Sequence, residues 1–178
     1  MKYMKVSACV LLAGLMITGC KKEKGGENEE ELITTIKVTL TAQGSTPQIF
    51  TWKDVDGPGG NAPQISEIVL APNKTYACQL EFLDESKTPS EDITAEVLAE
   101  AVDHEIYYEP AGVNVAVSNL NKDSKNLPLG TTSTWTTTGV SNGSVKITLK
   151  HKPGTKAAGD LVSKGETDIE VSFTTKVQ

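Results

Sequence analysis

The 178-residue chain predicts an all-β domain, an immunoglobulin-like antiparallel β-sandwich with one short helix near residues 89–102. Three features lead there. Apolar residues recur with period two in one segment after another, those segments are rich in β-branched residues, and Gly, Pro and Asn separate them. Ile36, Val38 and Leu40 alternate with Lys37 and Thr39, and Phe50 and Trp52 flank Thr51. Val113, Val115 and Val117 alternate with Asn114 and Ala116. Val145, Ile147 and Leu149 alternate with Lys146 and Thr148, and Ile169, Val171 and Phe173 with Glu170 and Ser172. Ile65 to Leu70, Tyr76 to Leu83, His104 to Tyr108 and Thr131 to Thr138 complete a set of about nine strands, most simply arranged as two sheets face to face.

One segment departs from this period. Thr88-Pro89-Ser90-Glu91 offers an N-cap threonine, a proline at the first helical position and a glutamate three residues after the cap. Ile93, Val97, Leu98, Ala101 and Val102 then fall on one helical face, so a helix of about 13 residues is expected across a sandwich edge or end.

The N-terminus carries a different signal. Lys2 and Lys5 precede an apolar run from Val6 to Ile17, and Leu15-Met16-Ile17-Thr18-Gly19-Cys20 matches a bacterial lipobox. The run is too short to span a bilayer, and small residues precede the cysteine where cleavage is expected. Residues 1–19 therefore read as a lipoprotein signal peptide, with Cys20 as the lipidation site taking a diacylglycerol and an amide-linked acyl chain such as palmitate. Residues 20–31 read as the lipidated cysteine and a flexible charged tether, and residues 32–178 as the β-sandwich domain. Lys21 after the cysteine, instead of Asp, fits outer-membrane sorting, on the periplasmic face or at the cell surface.

Composition narrows the partners. Without the signal peptide the chain keeps 15 lysines against 23 acidic side chains, a charge of −8, and it contains no arginine. Nucleic acid is excluded as a natural partner, and bidentate capture of phosphate esters has no residue to perform it. Cys9 leaves with the signal and Cys20 carries lipid, so Cys78 is left as a single thiol. It shares a parity with Tyr76, Leu80 and Phe82, which predicts a buried, inert side chain.

The residues with metal chemistry are few. His104 shares a face with Ile106 and Tyr108, and His151 continues the Val145-Ile147-Leu149 face, so both imidazoles are expected where the core meets solvent. With Glu166 or Asp168 they would suit a divalent ion, because imidazole plus carboxylate is a zinc-type donor set. Hydrogen-bonded core-edge histidines explain the same pattern without a ligand. Asp54, Asp56 and Asn61, with glycines between, resemble the opening of a calcium loop but lack its later bidentate glutamate. A tight turn accounts for them too. No serine lies in a nucleophile-elbow sequence, so no catalytic residue is assigned and the chain reads as a non-enzyme.

Several segments together resemble a known group. Asn28-Glu29-Glu30-Glu31 followed by Ile33-Thr34-Thr35, the Asp54 to Pro63 turn, Pro89-Ser90-Glu91-Asp92-Ile93-Thr94, Leu127-Pro128-Leu129-Gly130 and Glu166-Thr167-Asp168-Ile169-Glu170-Val171 are similar to small Bacteroidota lipoproteins often labelled "type 1 periplasmic binding fold superfamily protein". That label implies two α/β lobes, which the length and the missing β–α alternation argue against. The resemblance implies an accessory of TonB-dependent outer-membrane receptors, taking up a metal or another scarce nutrient. The expectation is thus an outer-membrane-anchored binding module with a membrane and a TonB-dependent receptor, or another envelope protein, as partners. A structural or adhesive envelope lipoprotein without a small-molecule ligand is the alternative.

Overall fold

The structure is a computed structural model and describes residues 32–57 and 59–178. The expected signal peptide, Cys20 and the tether lie outside the described residues. Within them the chain forms an all-β sandwich with a single short helix, as its periodicity predicts.

The elements run β1 (Thr35–Ala42), β2 (Gln48–Lys53), β3 (Gln64–Ile65), β4 (Ile68–Leu70), β5 (Thr75–Asp84), β6 (Glu91–Asp92), α1 (Ile93–Ala99), β7 (His104–Ala111), β8 (Val115–Ser118), β9 (Thr132–Thr137), β10 (Ser141–His151) and β11 (Glu166–Val177). One sheet has the order β3-β2-β1-β5-β9-β8, with β6 added to the end of β5; the other has the order β4-β11-β10-β7. Every pairing is antiparallel except β4 with β11. The expected strand from Ile65 to Leu70 is divided: Ile65 pairs with Trp52 in the first sheet, and Ile68 pairs with Thr175 in the second. Ser66 and Glu67 carry the chain from one layer to the other, and the Ser66 amide donates to the Thr51 carbonyl at 2.8 Å.

Inward positions of both sheets meet in one core. Ile36, Val38, Leu40, Leu80, Phe82 and Trp135 come from the first sheet; Val145, Ile147, Leu149, Phe173 and Val177 come from the second. Removing each such large side chain from water contributes about 1.5–3 kcal/mol, which is why alternation alone fixes the layer each strand faces. Cys78 is buried in this core beside Tyr76 and Leu80. Burial pushes its thiol up to about 12, so it is a packing residue at neutral pH.

The helix differs from its expected form. It spans seven residues, not about 13, and its N-cap is Asp92, whose carboxylate accepts from the Thr94 amide at 3.0 Å. Thr88 and Pro89 lie outside it because Glu91 and Asp92 are committed to β pairing with Asp84 and Leu83. Sheet hydrogen bonds at the end of β5 thus override the capping signal four residues earlier. Ile93 and Val97 face the core, whereas Leu98 is half exposed and does not belong to the buried face. The Thr94 hydroxyl accepts from the Phe82 amide at 2.9 Å and donates to the Phe82 carbonyl at 3.2 Å, which ties the helix to β5.

Candidate metal centre at one end of the sandwich

His104 is the first residue of β7 and His151 the last of β10, and the two are direct cross-strand partners. Their rings stack with centroids 4.6 Å apart and planes 12° from parallel. Inward parity brings them together: His104 continues the Ile106 face of β7, and His151 continues the Leu149 face of β10. His104 is buried and His151 half-buried.

The carboxylates reach this end from two other elements. Glu100 is the C-cap of α1, and the turn after it leads directly into β7. One ligand atom each from Glu100, His104 and His151 lie within 4.8 Å of one another. The Nδ1 of His104 is 3.2 Å from the Glu100 backbone carbonyl. On the other side of the ring, Nε2 stands 3.8 Å from Oδ2 of Asp168.

Asp168 owes its position to a β-bulge. Leu149 pairs with Ile169 and Lys150 with Thr167, so Asp168 is the extra residue of β11 at that point. Bulges of this kind re-aim a side chain, and here the carboxylate is turned to the His104 ring. Glu166 sits opposite His151 in the strand register, on the solvent side of the end. The four residues predicted from sequence therefore gather at one end, with Asp168 nearer to His104. Glu100 was not anticipated. Its spacing of four before His104 was the available signal, but it fell where the helix was expected to continue.

The electrostatics favour a neutral His104. Burial pushes its pKa below the ordinary 6.5, the Glu100 carbonyl opposes that, and the His151 ring adds to the lowering. A neutral imidazole is the metal-binding form.

The calcium-like turn is a separate feature beyond the end of β2. Oδ2 of Asp56 accepts from the Asn61 amide at 2.9 Å and from its side-chain nitrogen at 2.7 Å, which closes the turn on itself. These bonds hold the Asp56 carboxyl below its usual range. The Asp54 amide donates to the carbonyl of Thr34, the residue before β1, at 2.8 Å. Turn closure accounts for Asp56 and Asn61, and the Asp54 side chain also lies against Asp56.

Sequence reasoning missed a second buried polar cluster, on the opposite face of the same strands. Lys152 is fully buried; its Nζ lies 2.6 Å from Oε2 of Glu105 and 3.7 Å from Oδ2 of Asp160, and it donates to the Tyr107 hydroxyl. Lys156 is buried against Asp123 at 2.8 Å and donates to the Ala101 carbonyl at 2.8 Å. Lys152 ties the start of the 152–165 loop to the outer face of β7, and Lys156 ties it to Asp123 and to the turn at Ala101. A Lys–Pro–Gly sequence gives no local hint of a buried ammonium.

Fold and site define an all-β sandwich module with an imidazole–carboxylate cluster at one end. No family model, no curated protein and no solved structure matches the chain.

Proposed function

We propose that the chain is a lipid-anchored envelope lipoprotein whose sandwich is a non-catalytic binding module, with the His104–His151 end as its binding centre. The supporting observation is a cluster at one end of the sandwich: ligand atoms of Glu100, His104 and His151 lie within 4.8 Å of one another, and Asp168 stands 3.8 Å from Nε2 of His104. The lipobox ending at Cys20 supports attachment to the outer membrane, and the acidic surface supports a partner other than nucleic acid. As an accessory the module would hand its ligand to a TonB-dependent receptor or another envelope protein.

Two measurements test this. Native mass spectrometry of the protein taken from its own membrane should show a bound ligand, and a bare polypeptide in every preparation would argue for the structural alternative. Fractionation of cells making Cys20→Ser should move a folded domain out of the membrane pool. A mutant retained as firmly as wild type would remove the lipid anchor.

A further inference from the structure

We propose that the open lateral edge of the sandwich, where β7 and β8 border one cleft, takes an extended segment of a partner polypeptide by strand addition at Tyr108. This is independent of what the His104–His151 end binds.

The edge is open because pairing breaks there. The Lys152 amide donates to the Asp103 carbonyl at 2.6 Å, so in the β7 register Glu105, Tyr107 and Glu109 turn their backbone groups to β10. Ile106, Tyr108 and Pro110 turn theirs outward. Leu129 covers the first of these, its carbonyl accepting from the Ile106 amide at 2.7 Å. Gly130 then leaves β7 with a φ of +94°, a conformation that suits glycine. The Asn121 side chain holds the departing chain, accepting from the Gly130 and Thr132 amides at 3.0 Å each. Among the described residues the Tyr108 amide is left without an acceptor. Pro110 has no amide to offer, which confines pairing to the stretch around Tyr108.

The opposite wall is also a strand edge. The Thr138 amide donates to the Asn114 carbonyl at 3.1 Å, so alternation along β8 directs the Val117 backbone away from β9. Between the edges lies a cleft of about 410 Å³. Four successive residues of β7, Glu105 to Tyr108, border it; their side chains alternate between faces, so the cleft meets the backbone edge of the strand. Val117, Leu120 and Pro128 make the cleft apolar. A backbone donor beside apolar walls is matched by an extended chain, whose main chain pairs while alternate side chains fill pockets. Charge fixes one flank. Glu105 is paired with Lys152 at 2.6 Å, whereas Lys122 is exposed and has no ion pair among the described residues, so an acidic residue of the segment belongs beside it. Residues 21–31 of this chain do not supply the segment, because they contain no apolar side chain.

The test uses full-length lipoprotein in detergent and a phage-displayed library of random nine-residue peptides, with recovered peptides synthesised and measured by fluorescence anisotropy. They should alternate apolar and polar residues and carry an acid near one end. N-methylation at alternate peptide amides should weaken binding tenfold or more in one parity and less than threefold in the other, the signature of strand pairing. Lys122→Glu and Val117→Ser should each weaken binding at least fivefold. The Tyr108 amide should exchange hydrogen readily in the free protein and at least tenfold more slowly with peptide bound, a readout on wild type that needs no variant to fold. Failure to recover any peptide, equal effects of the two methylation sets, or unchanged affinity in both variants overturns the proposal. So does a Tyr108 amide already protected in the free monomer. Protection that accompanies a dimer in native mass spectrometry assigns the edge to a second copy and overturns the partner segment equally.

Discussion

Two polar clusters lie at the same end of β7 and β10 and have opposite characters. His104 and His151 point to the inner face, while Glu105 and Lys152 lie across the outer face under the 152–165 loop. The outer cluster is complementary: ammonium, carboxylates and a phenol satisfy one another, and Lys164 holds Asp160 at 2.8 Å from the other side. In the inner cluster, two rings stack on each other and Nε2 of His104 stands 3.8 Å from Asp168. Alternation thus separates a fully buried ammonium and its carboxylates on the outer face from a stacked imidazole pair on the inner face.

The largest effect expected from breaking this contrast is on the outer side. Glu105→Ala leaves a fully buried ammonium with Asp160 as its remaining carboxylate, and unfolding free energy should fall by about 3 kcal/mol, the lower part of the range for a broken buried pair. Replacing both partners, as in Glu105→Leu with Lys152→Met, should cost less than the single change in the same urea titration. A single variant as stable as wild type would mean that Lys152 needs no carboxylate on β7.

Metal should act only on the inner side. At a hundredfold excess of Zn²⁺ over Kd, wild type should gain about 2.7 kcal/mol of stability by mass action. Glu105→Ala should gain the same increment, and the double histidine variant none. An increment that shrinks in Glu105→Ala would show the two clusters to be coupled.

Acid should separate the clusters in the metal-free protein. Because His104 is pushed below its ordinary 6.5 in the fold, the unfolded chain binds more protons, and stability falls as pH drops from about 6.5 toward the lowered value. His104→Ala should flatten that window. On the outer side, the Lys164 hydrogen bond holds Asp160 below its ordinary 3.8, so that contribution is complete above this value and is lost as pH falls further. A single transition covering both windows would contradict separate clusters.

The smallest effect belongs to the core that both clusters border. Cys78, pushed up to about 12 by burial, should react with a thiol reagent at pH 8 only as fast as the protein opens, and denaturant should release it. Rapid native labelling would place β5 in the wrong register.

The amino-acid sequence by itself settled which way side chains point. Period two put Cys78, His104 and His151 on inward faces and defined the sandwich, because every strand must bury one face and a one-residue slip would expose it. It also carries the Leu15–Cys20 segment on which the proposal of a lipid anchor rests, a local pattern independent of the fold. Which faces meet was decided by tertiary structure. The Ile65–Leu70 run divided between sheets because its two ends found different partner strands, and the capping signal at Thr88 yielded to pairing of Glu91 and Asp92 with β5. The bulge that aims Asp168 at His104, the turn that delivers Glu100, and the loop that buries Lys152 and Lys156 all depend on contacts between residues distant in the chain. A local pattern specifies a face, and only the assembled sandwich specifies what that face touches.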